Sequence, residues 1–194
     1  MTLFLAVLTA ILPVARAVPL ELDYRLDLPD GAARGVTIGV TAVNARPDDK
    51  GGDELASIGT VRASAGIPYA LKTSDGNIDA FLVAWAADVL ESCGFTTRKG
   101  SRDAANGRAR VMIEYFWIDG YMAYALDMRL RVEILGPGAE TPTLTLALHG
   151  KRVESVEWGV HELNKPINAV LEDESVRFRE VCEGEGFAAI VRGD

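Results

Sequence analysis

Residues 74–94 constrain this chain more than any other stretch. Ile78, Phe81, Leu82, Trp85, Ala86, Val89, Leu90 and Cys93 recur at gaps of three and four residues. That spacing gathers them on one broad face of a 3.6-residue helix. Asp79, Asp88, Glu91 and Ser92 fall off that face. Ser74 or Asp75 is placed to cap the first turn, and Gly94 can end the helix in the left-handed conformation. An oily helix face is stable in water only against a second apolar surface. The flanking segments read mostly as strands, so the pattern predicts a helix laid across a sheet.

The strands are read from their period. Leu20, Leu22, Tyr24, Leu26 and Leu28 alternate with charged residues, the mark of a half-covered strand. Gly35 to Val43 is nearly apolar and rich in β-branched residues, which suits a central strand. Leu55 to Arg62, with Gly59 at a bulge or close approach, and Ile67 to Leu71 read as shorter extended pieces. A short strand is expected at Phe95–Thr97, and Arg98 to Arg110 reads as a basic, solvated loop. Asp119-Gly120 then marks a hairpin between Ala109–Trp117 and Tyr121–Leu135. In the first arm, Val111, Ile113, Tyr115 and Trp117 share one face by strict alternation. In the second, Leu126, Met128, Leu130, Val132 and Ile134 form the dry side. Thr141 to Leu148 makes a third strand, Gly150 a break, and Val153 to Trp158 a resumption.

A second helix starts near Asn164, with Pro166 in its first turn, and ends at Gly184 or Gly186. Phe187 to Val191 is a short apolar tail that adds a strand or packs across a layer. The predicted fold is therefore an α/β (α+β) two-layer sandwich. It has a mixed or antiparallel sheet with two long helices on one face.

The N-terminus bears on compartment. Leu3 to Val14 is almost wholly apolar and is followed by Ala15-Arg16-Ala17, the pattern of a secretory signal peptide. We read residues 1–17 as that leader and 18–194 as a single domain. A hydrophobic first strand is the other reading of the same stretch. No later segment has the uninterrupted apolar length of a membrane span. The formal charge of −8, one unit more negative without Arg16, opposes nucleic acid and anionic membrane surfaces. An oxidising compartment would permit a disulfide between Cys93 and Cys182. Two separately buried thiols are the preferred alternative.

Motifs for chemistry are scarce. His149 and His161 lie in no HExxH, the cysteines form no CxxC, and there is no GxSxG or P-loop. No cofactor or metal is expected, and His149 and His161 read as surface or capping residues. The aromatic cluster Tyr115, Phe116, Trp117, Tyr121 and Tyr124 is divided by alternation between the two sides of the sheet. Part of it belongs to the core. Tyr115, Trp117, Tyr121 and Tyr124, with Arg46 beside a strand end, are the candidate partner contacts.

Gly35-Val-Thr-Ile-Gly-Val-Thr-Ala-Val43 leading into Asn44-Ala45-Arg46-Pro47, then Ser57-Ile58-Gly59, resembles the start of the YajG-like family of bacterial envelope lipoproteins. The helix from Asp79 to Cys93 with Gly94-Phe95, and the hairpin carrying Tyr121 and Tyr124, extend the resemblance over about Gly35–Cys182. The family implies an envelope location, a layered α/β domain and no established enzymatic role. It often has Asp where this chain has Asn44, and its lipobox is missing here. The combined expectation is a non-catalytic periplasmic accessory or binding protein with an envelope protein as partner. The alternatives are a structural subunit associated with the outer membrane and a periplasmic hydrolase.

Overall fold

A computed structural model describes residues 17–62, 66–101, 106–155 and 160–194. The leader assigned to 1–17 lies outside these residues except for Ala17, as does the end of the strand expected at 153–158. In chain order the elements are β1 (Ala17–Leu20), β2 (Thr37–Asn44), β3 (Ser57–Arg62), β4 (Pro68–Thr73), α1 (Ile78–Ser92) and β5 (Thr96–Lys99). There follow β6 (Arg108–Gly120), β7 (Ala123–Leu135), β8 (Leu144–Ser155), α2 (Asn164–Glu183) and α3 (Glu185–Arg192).

The eight strands form one mixed sheet organised on β6. Along one edge β6 pairs antiparallel with β7 over its whole length, and β7 pairs with β8. The other edge forks. Residues 108–113 of β6 pair parallel with β2, and residues 118–120 pair parallel with β3. β5 continues the first branch, and β4 then β1 continue the second. The two long helices pack on one face, α1 over β2 and β5, α2 over β8 and β7. This is the predicted two-layer sandwich.

The dry side of β7 is as read, with Leu126 to Ile134 buried at every second residue. The first arm of the hairpin differs. A β-bulge between Ile113 and Tyr115 inserts one extra residue, and an extra residue reverses which side each later side chain takes. Ala109, Val111 and Ile113 therefore share the core with Phe116 and Ile118. Tyr115 and Trp117 go to the opposite face, with Met112.

α1 is buried on more than its predicted stripe, and Val83 and Ala87 are covered as well. Residues 21–34 explain the extra layer. Their alternation is real, with Leu22, Tyr24, Leu26 and Leu28 packed on the core, yet only Ala17–Leu20 joins the sheet. The rest is an extended strap across the helices. Tyr24 stacks edge-on against Phe81 at 5.4 Å and donates to Asp88 Oδ2 at 2.5 Å. Asn168 Oδ1 accepts from Arg25 N at 3.3 Å, and Asn164 Nδ2 donates to Glu21 O at 3.0 Å. Period two in the sequence thus reports extended backbone with one covered side, whatever does the covering.

The cap of α1 is Asn77, whose Oδ1 accepts from Asp79 N at 2.9 Å and Ala80 N at 3.2 Å. Ser74 and Asp75 lie too early. Gly94 does end the turn with φ +86°. Trp85 Nε1 donates to Ser175 Oγ at 2.9 Å, joining the helices inside the core. Cys93, just past α1, and Cys182, in the last turn of α2, form a disulfide with Cα atoms 6.3 Å apart. The preferred reading of two separate thiols is thereby replaced. The apolar tail is helix α3, with Phe187 packed on Phe95 at 5.3 Å.

Gly150 does not break its strand. A Cβ there would meet Val170 Cγ1 at 2.2 Å, so glycine is what lets α2 lie close against β8. α2 also guards that edge. Glu174, 2 % exposed, takes the backbone N–H of His149 and pairs with Arg177 at 3.1 Å. Burial drives the Glu174 carboxyl upward, and Arg177 and the His149 N–H only partly offset it. A carboxyl raised in the folded state lends stability below its unfolded pKa, and this is lost as pH rises through the folded value. Stability of the parent relative to Glu174→Gln is therefore expected to rise as pH falls from 7 towards 4.5, measured by urea unfolding. A parent that loses ground to the variant over that range would contradict this.

Candidate functional site

The face of the sheet away from the helices carries the polar half of each strand. Neither long helix lies on it; the one-turn helix Asp48–Lys50 touches it at β3 and β6. Arg110 Nε meets Glu133 Oε2 at 2.7 Å, and Arg131 bridges Glu114 at 2.8 Å and Glu133 at 3.1 Å. Asp127 gathers Lys151 at 3.1 Å and Arg129 and His149 Nε2 at 3.4 Å. Partial burial pushes the Asp127 carboxyl up, but Lys151 and Arg129 outweigh it and hold it below the usual range. These pairs link β6, β7 and β8 into a charge lattice in which each sign has its neighbour.

Tyr115 and Trp117 stand in that lattice because of the bulge. Arg129 lies 5.2 Å over the Tyr115 ring, and Lys50 lies 4.6 Å over Trp117. Such stacking orients both partners. Tyr121, 47 % exposed, sits at the β6–β7 tip under Arg62 at 5.9 Å. Tyr124 is separated from these three. It pairs with Gly120 on the helix side, half-buried, and burial raises its hydroxyl pKa. The aromatic candidates thus divide into two on the open face, one at the tip and one against the core.

Arg46 is no surface contact. It is 4 % exposed and fills the fork between β2 and β3. Its Nε donates to Asn44 Oδ1 at 2.8 Å, Nη1 to Ser57 O at 2.6 Å and Nη2 to Leu55 O at 3.3 Å. Asn44 Nδ2 donates in turn to Gly51 O at 2.8 Å and Gly52 O at 3.0 Å. A fork leaves backbone groups without a neighbouring strand, and these side chains satisfy them. Nothing in the spacing of Asn44 and Arg46 reveals this, because the carbonyls they serve come from the loop at 51–55 and the first residue of β3.

Beside the fork, a cleft of about 550 Å³ is lined by Thr41, Asn77, Asp79, Val83, Lys99 and Gly100. Burial raises the Asp79 carboxyl, with Arg46 pulling it back, and Asp79 Oδ1 has no hydrogen-bond partner. Lys99 is held by Asp88 at 3.1 Å. One carboxylate and one paired ammonium orient a polar ligand but form no nucleophile–base pair. Both cysteines are bonded to each other. Among the described residues no group of three or more His, Cys, Asp or Glu is placed to hold a metal ion.

The sequence matches no protein-family model and no curated protein. The fold has counterparts. A Xanthomonas campestris protein of family DUF330 superposes with a TM-score of 0.53 at 12 % identity, over 84 % of this chain and 92 % of that one. An uncharacterized protein superposes at 0.52 and 12 % identity, over 86 % and 98 %. PelC of Paraburkholderia phytofirmans, crystallised as a dodecamer, reaches 0.41 at 13 % identity, over 76 % and 93 %, too low to bear on function. At such identities the likeness is one of fold. It defines the chain as a two-layer α/β sandwich of the architecture seen in the DUF330 protein.

Proposed function

We propose that this chain is an exported, non-catalytic protein of the bacterial cell envelope. In this reading it is a structural subunit beside the outer membrane that joins an envelope protein through the open face of its sheet. The YajG-like relationship and the removal of residues 1–17 belong to the same proposal. One observation carries it: a long sheet with both long helices on one side, and Tyr115 and Trp117 presented on the other inside an ordered charge lattice. Aromatic side chains held this way lose little freedom on binding. The disulfide adds support, since such bonds persist in oxidising compartments. A second reading, a small-ligand accessory protein, is favoured by the cleft at Asp79.

The test is crosslinking in native envelopes followed by capture, with the N-terminus mapped by mass spectrometry. Recovery in the envelope fraction with Val18 first, and a partner lost on combining Tyr115→Ala with Trp117→Ala, is the expected result. Recovery only from the cytosol with Met1 retained sinks the export reading. A partner retained by a folded double variant removes the open face from it.

A further inference from the structure

The cleft at Asp79 stands where a piece of strand is missing. β5 pairs with β2 only over Thr37–Val40, while β2 runs on to Asn44 against β6. Gly100 N donates to Val40 O at 2.7 Å. With φ +73°, Gly100 then takes the chain off the line of the strand. A Cβ on Gly100 would meet nothing within 4 Å. From Thr41 to Asn44, then, β2 has a strand on one side only. That gap is about 13 Å long at about 3.3 Å per residue.

Strand alternation decides which groups face the gap. Gly39 N donates to Gly107 O at 3.1 Å and Ala45 N to Ile113 O at 3.0 Å, so the odd-numbered residues of β2 serve β6. Ala42 therefore turns its N–H and C=O to the other side, one rung beyond Val40. Among the described residues no group hydrogen-bonds to either. An open rung of this kind is a template for another chain. The far edge of the sheet is guarded, with Glu174 on the His149 N–H. The walls of the gap add chemistry. α1 lines it with Asp79 and Val83. Asp79 Oδ1 is buried and accepts no hydrogen bond among the described residues. Arg46, the cation whose field reaches it, spends its side-chain donors on Asn44, Ser57 and Leu55. Lys99 across the cleft is held by Asp88.

We propose that this cleft takes an extended peptide segment of a partner protein, which adds a short strand beside Ala42 and pairs a Lys or Arg with Asp79. A residue opposite Ala42 projects its side chain to the same face as Ala42. That face is the α1 side, because Ala42 itself pairs with the buried Val111. A basic side chain at that position is thereby delivered to the wall that holds Asp79, with its stem along Val83. Backbone pairing supplies affinity, and the carboxylate selects the basic residue. The net charge of −8 draws a basic segment rather than an acidic one. A peptide here replaces the small ligand of the second reading, and the proposal rests on that reading only in placing a ligand at Asp79. Neither the open face nor export is needed for it.

The test selects peptides on the full chain from a phage library of short random sequences and titrates synthetic copies by fluorescence anisotropy. The selected peptides are expected to share a Lys or Arg at one position. Asp79→Asn is expected to weaken them at least about tenfold. Combining Tyr115→Ala with Trp117→Ala is expected to leave them unchanged, which separates this site from the open face. N-methylation along the peptide is expected to cost as much at every second amide, because alternate amides face away from Ala42. Thermal melts check that the variants are folded, and the methylated series needs no variant. Failure to select any peptide, peptides without a shared basic residue, binding untouched by Asp79→Asn, or methylation without alternation overturns the proposal. So does argininamide binding as tightly as the peptides, which returns the cleft to a small ligand. Peptides kept by Asp79→Asn but lost on the double variant belong to the open face and overturn it too.

Discussion

Reducing the Cys93–Cys182 bond, or replacing both residues by Ala, is expected to lower stability by about 4 kcal/mol. The bond closes a sequence separation of 89 residues, and cross-linking so long a loop removes much freedom from the unfolded chain. It also ties the end of α1 to the end of α2, next to the Trp85–Ser175 link that joins the same helices. For a domain of this size a loss of that order lowers Tm by roughly 8–16 °C. The measurement is guanidinium unfolding with and without reductant, alongside thiol labelling of the denatured, unreduced protein. Two labelled cysteines in protein taken from envelopes, or a Tm unmoved by reductant, would falsify it.

Arg46→Met is expected to cost about 3–5 kcal/mol. Methionine fills much of the same volume but its side chain donates nothing, so Ser57 O and Leu55 O lose the guanidinium and Asn44 Oδ1 keeps only the long bond from the backbone N–H of residue 46, at 3.4 Å. It also removes the charge that offsets the buried Asp79 carboxyl. Arg46→Lys keeps the charge yet cannot reach three acceptors in one plane, so it recovers part of the loss. Asn44→Asp cuts the same network from the other side, since a carboxylate cannot donate to Gly51 O and Gly52 O. Its cost is about 1–3 kcal/mol. Urea midpoints of the three variants decide the matter, and an Arg46→Met protein as stable as its parent would show that the fork needs no internal cation.

Much of the architecture is legible in the sequence because burial imposes period. The apolar stripe of 78–93, the alternation of β7 and the Asp119-Gly120 turn all follow from which side of an element meets water. What sequence hides are features that depend on a partner far along the chain. The bulge at Glu114 changes no residue type, yet it sends Tyr115 and Trp117 to the open face. Leu22 to Leu28 alternate as a strand would, because the helices cover one side of them just as a second layer would. Gly150 looks like punctuation and is instead the space for Val170. Arg46 next to a strand end looks like a contact for solvent or partner. Only the fork shows why it is buried.

The strap has a consequence for the order in which the molecule can assemble. Residues 21–25 emerge early in synthesis, yet two of their anchors, Asn164 and Asn168, lie more than 140 positions later. Tyr24 can meet Phe81 and Asp88 as soon as α1 exists, but this end of the strap is complete only when α2 has arrived. The first part of the strap and the last sixth of the sequence are thus fastened to each other, so the final latch of the fold is a contact between its two ends.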